Sequence, residues 1–385
     1  MGNQVLKGKM IGNPVMLSVD KTGCVDEKHK YAYIVEDFKL PLGYGAYIFD
    51  KSYTQEHINN FLTYSPSATI LYDVEDVSQI GQYDVIEVYG NGILHIAYSD
   101  KSDDNVLFIT NKCNSNCVMC PDSNVARQKD LGERKHYLNE LIELIPSDTS
   151  HLTITGGEPT LLKWDLLPIL EKCKEKFVNT SFLMLSNGRS FCVKDYREAF
   201  LSTIPKYFQL AVPLYSDNAE EHDAITRATG SFVQTTRGLK YLQQKVDLEI
   251  RIVIMQSNYK KLENISEYIV HNLPHTKTVS FMGLELLGNA ALEKDDIWVD
   301  YIETAPYIEA ALYTLFNAGI EGKIYNYPLC GLPERLWSVA AKSITDYKVR
   351  FKPECERCSV KNICGGFFFS TINYKKVFAK PISEE

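Results

Sequence analysis

The sequence predicts an α/β protein with a partial parallel barrel, a small β-rich N-terminal domain and a short cysteine-rich C-terminal domain. Three observations support this fold class. Six apolar strand segments alternate with amphipathic helices after residue 104, and short strand-like runs fill the first hundred residues. Seven of the ten cysteines fall into two clusters. A chain of 385 residues is long enough for two to three domains.

The N-terminal domain is predicted over residues 1–100. Its strand-like runs are rich in β-branched and aromatic residues, and glycine, proline and Asn-Gly turn signals separate them. A polar stretch at 99–104 is a plausible linker. The predicted strands are Ala32–Val35, Ala46–Phe49, Thr69–Tyr72, Val85–Val88 and Ile93–Ala97.

The central domain is predicted over residues 104–290. Amphipathic helices, including one at 133–145 and one after Ser231, separate its strands. Six β-α units indicate a partial parallel barrel, whose active site is expected at the C-terminal ends of the strands. Residues 291–385 are expected to form a helical and cysteine-rich C-terminal domain. The predicted strands are 105–110, 151–155, 180–186, 207–213, 248–256 and 277–284.

Composition restricts the classes of partner. The formal net charge is -8, from 41 basic and 49 acidic residues, so no nucleic-acid partner is expected. No apolar stretch approaches about 18 residues and no signal peptide is recognisable, so we expect a cytoplasmic protein without a membrane partner. In such a compartment, cysteine clusters indicate metal binding or catalysis rather than disulfides.

The first cysteine cluster is Cys113, Cys117 and Cys120, which directly follows the first strand of the central domain. A zinc site and three unrelated buried thiols are the alternatives to a metal cluster. Structural zinc sites use four ligands, and no fourth cysteine or histidine lies nearby in sequence. The C-x3-C-x2-C spacing therefore argues against a structural zinc site.

This loop resembles the cluster loop of the radical S-adenosylmethionine (SAM) superfamily. The resemblance implies a four-iron, four-sulfur (4Fe-4S) cluster with one open iron, which binds SAM and cleaves it to methionine and a 5′-deoxyadenosyl radical. That radical abstracts hydrogen from an unactivated C–H bond. The residue before the last cysteine is usually aromatic in this family, whereas here it is Met119. A thioether can fill the same space.

A second motif, Thr155-Gly156-Gly157-Glu158-Pro159, ends the second central strand and resembles the family's GGE motif. The glycines permit close backbone approach, and the motif's backbone and Glu158 are expected to accept hydrogen bonds from the SAM ammonium.

Further SAM-binding residues are expected at the next strand ends. Ser186 and Asn187 resemble the family's residues near the ribose and carboxylate of SAM. Arg189 beside them could pair with that carboxylate. The alternative is a simple Asn-Gly turn with a solvated arginine. Ser216 resembles the residue that holds the ribose, while His222 is expected to be structural.

The second cysteine cluster is Cys330, Cys355, Cys358 and Cys364. Four thiolates can ligate either zinc or a second 4Fe-4S cluster, and geometry alone does not choose. The spacing resembles the auxiliary-cluster domains of peptide-modifying radical SAM enzymes, which favours iron–sulfur over zinc. The full version of that domain has seven cysteines, so this chain is expected to hold one auxiliary cluster in a shortened domain.

Longer sequence segments narrow the resemblance to one family within the superfamily. Segments 110–117, 325–330 and 355–369 look like the C-type maturase of the His-Xaa-Ser peptide-modification family. This implies a precursor peptide with His-Xaa-Ser repeats, a second radical SAM maturase and a small accessory protein. An electron donor such as flavodoxin or ferredoxin is also expected.

We therefore expect an oxygen-sensitive radical SAM enzyme that cross-links a ribosomally synthesised precursor peptide. The alternatives are a radical SAM enzyme acting on a small molecule or RNA, and a non-enzymatic iron–sulfur or zinc protein. The sequence names no general acid or base. Residues at predicted strand ends or in adjoining loops include Arg251, Glu285, Tyr215 and Asp217. The N-terminal domain is expected either to bind a leader peptide at an open sheet edge or to cover the barrel.

Overall fold

Over the residues that it describes, the computed structural model contains two eight-stranded sheets and one two-stranded sheet. The structure describes residues 5–36, 41–122, 124–129, 131, 134–344 and 347–383. The predicted fold class is confirmed: a β-rich N-terminal region precedes an open sheet of parallel strands. The domain boundaries themselves stay a prediction.

The N-terminal sheet contains all five strands predicted for this region and three earlier strands that the sequence did not reveal. Its order is β1-β8-β7-β3-β4-β5-β6-β2. One helix, α1 (Gln55–Tyr64), follows β5, and Thr54 caps its N-terminus. The strands are β1 (Val5–Lys7), β2 (Lys9–Ile11), β3 (Val15–Asp20), β4 (Tyr31–Ile34), β5 (Ala46–Asp50), β6 (Thr69–Val74), β7 (Val85–Val88) and β8 (Ile93–Tyr98).

This sheet closes on itself through a single bent segment. Strands β1 and β2 lie at opposite ends of the strand order, yet only Gly8 separates them in the chain. The segment pairs with β8 through its first half and with β6 through its second half. A Cβ atom on Gly8 would lie 2.6 Å from the Tyr72 carbonyl oxygen, so the bend requires glycine. The enclosed space is filled by apolar side chains, including Val19, Ile34, Ile48 and Leu71.

The second sheet is parallel throughout, and its strands lie side by side in chain order. The first six strands are those predicted, and two more follow residue 290. Its first and last strands stay at opposite edges, so the barrel is not closed. The strands are β9 (Val106–Phe108), β10 (His151–Thr155), β11 (Ser181–Leu185), β12 (Tyr207–Pro213), β13 (Asp247–Val253), β14 (Thr278–Met282), β15 (Glu321–Tyr325) and β16 (Ala340–Ala341).

Helices cover one face of the parallel sheet. Leu248, Ile250 and Ile252 of β13 belong to the same buried cluster as Ile265 and Ile308 of the covering helices. Successive residues of a strand point to opposite faces, so the intervening residues of β13 face the concave, helix-free side. The helix predicted over 133–145 is α3; residue 133 lies outside the described residues. The helices are α2 (Asn124–Gln128), α3 (Arg134–Leu144), α4 (Leu166–Lys176), α5 (Lys194–Thr203), α6 (Ala219–Thr226), α7 (Ser231–Leu242), α8 (Leu262–Asn272), α9 (Asn289–Leu292), α10 (Lys294–Ile297) and α11 (Tyr301–Asn317).

The C-terminal segment consists mainly of short 3-10 turns with a small hairpin-like sheet. Strands β17 (Val349–Arg350) and β18 (Phe367–Phe368) pair antiparallel, and α12 (Phe369–Tyr374) follows. Thr371 Oγ1 donates to the Leu284 carbonyl oxygen at 3.2 Å, and Lys348 pairs with Glu285 at 3.0 Å. These contacts fix the segment against the C-terminal end of β14. Among the residues that the structure describes, no helix has the length and apolar character needed to cross a membrane.

Candidate functional site

The first cysteine loop lies at the C-terminal end of β9 and is fixed by backbone hydrogen bonds. The Asn116 and Val118 N–H groups donate to carbonyl oxygens at the end of α6, each at 3.0 Å. Asn289, at the start of α9, donates its backbone N–H to the Cys120 carbonyl oxygen at 2.9 Å and its side-chain Nδ2 to the Cys117 carbonyl oxygen at 3.0 Å. Two distant segments of the parallel-sheet region therefore hold the loop in shape.

The three thiols lie close enough to influence one another electrostatically. Burial, together with the neighbouring thiolates of Cys120 and Cys113, raises the pKa of Cys117 to about 12. Burial also raises the pKa of Cys113. Thiols that would repel one another as anions suit a cationic metal centre, which replaces their protons on binding.

The guanidinium of Arg127 partly balances the negative charge of the cysteine thiolates. Arg127 of α2 donates from Nη2 to Cys120 Sγ at 2.7 Å and from Nη1 to the Ser115 carbonyl oxygen at 2.7 Å. Hydrogen bonds to ligand sulfur atoms tune iron–sulfur sites. The sequence prediction missed both Arg127 and Asn289, because each lies outside the recognisable motifs and only folding brings it to the loop.

The three thiols are compatible with a cluster that fills the space between them. In the described part of the chain, no three His, Cys, Asp or Glu side chains converge tightly enough to hold one metal ion. A four-iron cluster has a volume of its own, so its ligands surround a space instead of a point. Cys113, Cys117 and Cys120 would hold such a cluster, supplying three thiolates to four irons.

The Gly156-Gly157-Glu158 segment packs directly against the start of the cysteine loop. The Gly157 N–H donates to the Thr110 carbonyl oxygen at 2.6 Å, and the Glu158 N–H donates to the Lys112 carbonyl oxygen at 2.8 Å. A Cβ atom on Gly157 would lie 2.4 Å from the Lys112 carbonyl oxygen. The glycines therefore permit the close approach of two strand-end loops, in addition to any approach to a ligand.

Glu158 joins three strand-end segments. Its side chain is fully buried, and burial raises the pKa of its carboxyl group. Oε1 accepts from the Thr160 N–H at 2.9 Å and from Ser186 Oγ at 2.9 Å, and Oε2 accepts from the Asn187 N–H at 2.6 Å. Both carboxylate oxygens thus have partners within the protein. The contact of Glu158 with the SAM ammonium stays a prediction.

The other expected SAM contacts lie around the same end of the sheet. Asn187 Nδ2 donates to Asn114 Oδ1 at 2.6 Å, and Arg189 donates to the Asn114 carbonyl oxygen and to Gln234 Oε1. Arg189 is thus bound to the cysteine loop rather than simply solvated. Ser216 is buried, and its hydroxyl donates to Glu221 Oε2 at 2.8 Å. Its assignment to the ribose stays a prediction.

An apolar pocket wall covers one side of the cysteine loop. Met119 is buried in a cluster with Tyr215, Met255 and Leu286, which supports the view that the thioether fills the usual aromatic position. Burial raises the pKa of Tyr215 far above its usual range, and the nearby cysteine thiolates act in the same direction. His222 stacks on Tyr215, and its Nδ1 accepts from the Tyr215 N–H at 3.2 Å. These two contacts are internal to the protein and agree with the expected structural role of His222.

The four C-terminal cysteines line one small cavity, together with Phe351, Phe367 and Lys380. Burial raises the pKa of Cys330, and the other three thiolates add to the rise. Cys364 Sγ accepts from the Leu329 N–H at 3.3 Å and from the Gly366 N–H at 3.4 Å. Cys358 Sγ accepts from the Ile382 N–H at 3.4 Å. Backbone donors aimed at sulfur are typical of buried iron–sulfur ligands. The cysteine residues are Cys330, Cys355, Cys358 and Cys364.

One open cavity is remote from both cysteine sets. It measures about 800 Å³ and lies at the opposite, N-terminal ends of β11, β12 and β13, where Lys206, Tyr207 and Lys245 line it. The motifs lie instead at the C-terminal strand ends, which is where parallel barrels place their active sites. We therefore assign the functional site to the motifs and not to this cavity.

Residues 107–269 match the profile of the radical SAM superfamily. A segment of 171 residues is 23% identical to an uncharacterised protein of Methanocaldococcus jannaschii and covers 43% of this chain and 57% of that protein. A segment of 199 residues is 26% identical to the mycofactocin maturase MftC of Mycolicibacterium smegmatis and covers 51% of this chain and 47% of MftC. The chain thus spans about half the length of the curated relatives it matches.

Two proteins of known structure have a similar fold over part of this chain. SuiB of Streptococcus suis, bound to the precursor peptide SuiA, is 15% identical with a TM-score of 0.46, and the match covers 57% of this chain and 48% of SuiB. The protein anSMEcpe, with bound AdoMet and a peptide, is 14% identical with a TM-score of 0.43, and the match covers 57% of this chain and 62% of that protein. Similarity at this level carries no functional argument. The motifs, their geometry and the profile match together show that residues 107–269 form a radical SAM domain, whose family implies a 4Fe-4S cluster and SAM.

Proposed function

We propose that this protein is a radical SAM enzyme that modifies a ribosomally synthesised precursor peptide, most specifically one with His-Xaa-Ser repeats. The observation that carries the enzyme assignment is the direct packing of the GGE segment on the three-cysteine loop. That packing brings three thiols and a ligand-binding backbone to one strand-end site. The mycofactocin maturase match and the C-terminal cysteine set support a peptide as the substrate.

The cluster and SAM, when bound, supply the one-electron cleavage that generates a hydrogen-abstracting radical. The residues of this chain position those groups. Arg127 stabilises thiolate charge at Cys120, and the buried wall of Met119 and Tyr215 excludes water from the loop. Water exclusion protects a radical from side reactions. The proposed SAM contacts are Gly156, Gly157, Glu158, Ser186, Asn187 and Ser216. Glu158 also joins the strand ends between them.

We propose that Cys330, Cys355, Cys358 and Cys364 bind an auxiliary 4Fe-4S cluster rather than zinc. The product is then a cross-link. An auxiliary cluster held by these four cysteines would accept the one electron that the peptide gives up when a cross-link closes. The peptide would also give up one hydrogen atom, to the 5′-deoxyadenosyl radical, and one proton, to solvent. The peptide therefore loses two hydrogens. An epimerised product would keep its mass.

The remaining assignments follow from this function. The enzyme is proposed to work in the cytoplasm with a flavodoxin or ferredoxin as electron donor. A second radical SAM maturase and a small accessory protein are its proposed partners, and neither nucleic acid nor a membrane is required.

The test is the intact mass of a His-Xaa-Ser peptide co-expressed with the enzyme and the partner maturase under anaerobic conditions. Loss of two hydrogens is expected with the wild-type enzyme and not with Cys117→Ala. Cys24→Ala is a matched control, because Cys24 is an exposed cysteine of the N-terminal region. Unchanged peptide mass, alongside formation of 5′-deoxyadenosine, would retain the radical enzyme and contradict the cross-linking assignment.

A further inference from the structure

The concave face of the parallel sheet carries ordered rows of polar side chains. Arg251, Ser280 and Lys323 are register partners on the adjacent strands β13, β14 and β15. Partners in a parallel pair point to the same face, and this face is opposite to the one that packs against the helices. We call these three residues the inner cation row.

An acidic row lies directly beneath the inner cation row. Glu249, Thr278 and Glu321 are register partners two residues earlier on the same strands. Glu249 is almost fully buried, and it accepts hydrogen bonds from Gln209 Nε2 at 2.9 Å and from Ser280 Oγ at 2.7 Å. Charged side chains inside a barrel are costly unless they are paired, and Glu249 is paired with Arg251 as well as hydrogen-bonded.

The ion pairs leave part of each cation available. Arg251 donates to Glu249 from Nε at 2.8 Å and from Nη2 at 3.3 Å, and its side chain is 24% exposed. A guanidinium has five N–H donors. The Nη1 donors of Arg251 have no partner among the residues that the structure describes. Lys323 pairs with Glu321 at 3.2 Å, and its side chain is 39% exposed.

The order of the rows gives the barrel interior a direction. A parallel strand rises about 3.3 Å per residue, so the inner cation row lies about 7 Å closer to the C-terminal strand ends than the acidic row. The next row towards those ends contains Val253, Met282 and Tyr325. A molecule that enters from the cysteine-loop end therefore meets the cations before the carboxylates.

We propose that the inner cation row binds a carboxylate of the substrate, with Arg251 and Lys323 as its donors. This inference rests on the proposed function for the identity of the substrate as a peptide. The carboxylate comes from an Asp or Glu side chain or from the peptide's C-terminus. Arg251 is the principal donor, because a guanidinium offers paired N–H groups in the geometry that a carboxylate requires. The site fixes the depth to which the peptide enters the barrel.

The test is equilibrium dialysis of short peptides against the anaerobically reconstituted, SAM-loaded enzyme. The probes are Ac-Gly-Ser-Glu-Ser-Gly-amide, its Gln analogue, and the Gln analogue with a free C-terminal carboxylate. The wild-type enzyme is expected to bind at least one carboxylate probe roughly 10-fold more tightly than the neutral amide, which is the scale of a charge-assisted hydrogen bond. The probe that gains affinity identifies the source of the carboxylate.

Variants show whether the carboxylate preference comes from these two side chains or from the overall charge of the protein. Arg251→Gln is expected to abolish the preference, and Lys323→Gln to reduce it and to provide a second variant if Arg251→Gln does not fold. Lys277→Gln is the matched control, because Lys277 pairs with Asp247 near the opposite ends of β13 and β14. Equal binding of all three probes by the wild-type enzyme overturns the proposal. So does a preference that survives in both Arg251→Gln and Lys323→Gln.

The dialysis requires no turnover, so this test is independent of the peptide-modification assay. A carboxylate preference without any change in co-expressed peptide mass would support the inner cation row and contradict the cross-linking assignment. A modified peptide without a carboxylate preference would do the reverse.

Discussion

The two eight-stranded sheets of this chain use their interiors in opposite ways. The N-terminal sheet closes through the bend at Gly8, and apolar side chains such as Ile48 fill the enclosed space. The parallel sheet stays open, and its concave face carries Arg251 and Glu249. Closure removes exposed edges and fills the interior, whereas an open sheet keeps a face to which ligands have access. The comparison assigns stability to the first sheet and chemistry to the second.

The closure also bears on the expected role of the N-terminal domain. Strand addition needs an unpaired sheet edge. Within the described residues, both ends of the strand order are formed by the one bent segment 5–11. This arrangement favours a covering role for the domain over leader-peptide binding by strand addition. Tyr98 of β8 contributes to that role by hydrogen bonding to Thr149 at 2.9 Å.

The largest expected effect is a substitution at the GGE segment. Gly157→Ala places a Cβ atom 2.4 Å from the Lys112 carbonyl oxygen, so the cysteine loop must shift. Formation of 5′-deoxyadenosine is expected to fall by roughly 100-fold or more, because small displacements in an active site are costly. The assay is chromatography of the reconstituted enzyme's products. The matched control is Gly90→Ala in the N-terminal region, where the nearest atom lies 3.8 Å from the added Cβ. Equal activity of the two variants would contradict this account of the loop packing.

A cavity created in the N-terminal sheet should lower the stability of the protein without affecting SAM cleavage. Ile48→Ala removes a fully buried side chain and is expected to lower the free energy of unfolding by about 2–5 kcal/mol. Chemical denaturation followed by circular dichroism measures the change. The fraction that stays folded should still cleave SAM at the wild-type rate. Loss of cleavage by folded Ile48→Ala would show that the two sheets do not divide stability and chemistry as proposed.

Acid should weaken the parallel-sheet region through His222. Burial lowers the pKa of His222 to about 4, below its ordinary value near 6.5. The unfolded chain therefore binds the proton more readily, and the stabilisation present above pH 6.5 is lost as the pH falls towards 4. The full difference is up to about 3 kcal/mol. Thermal unfolding at pH 7 and pH 5 should show a smaller pH effect in His222→Phe. An identical pH effect in both proteins would exclude His222 as the cause.

The smallest expected effect concerns retention of the cluster. Asn289→Ala removes the hydrogen bonds from Nδ2 to Asn116 Oδ1 and to the Cys117 carbonyl oxygen, which cost about 1–3 kcal/mol when left unmade. Iron release to a chelator should accelerate by roughly 10-fold. Asn91→Ala, at an exposed turn of the N-terminal sheet, is the control and should release iron at the wild-type rate. Unaltered release in Asn289→Ala would mean that the α6 contacts alone hold the loop.

The sequence predicts the fold best where pattern and spacing act locally. The six central strands and the cysteine and GGE motifs are visible because strand alternation and ligand spacing are short-range signals. Helix α1 and the strands β1 to β3 were missed. For β1 and β2 the reason is length, because three residues carry almost no periodicity. Arg127 and Asn289 reach the cysteine loop only through tertiary packing, and no local signal marks them. The polar rows on β13 to β15 become visible only once the register of the strands is known.

The central claim is that two cysteine sets hold two clusters and that only the first cleaves SAM. The most direct measurement is iron content and 5′-deoxyadenosine formation in anaerobically reconstituted wild-type, Cys113→Ala/Cys117→Ala/Cys120→Ala and Cys355→Ala/Cys358→Ala proteins. We predict about eight irons per wild-type chain and about four in each variant, because each set binds one four-iron cluster. SAM cleavage should disappear only in the first variant. Cleavage that persists there, or zinc in place of iron at the C-terminal set, would contradict the account.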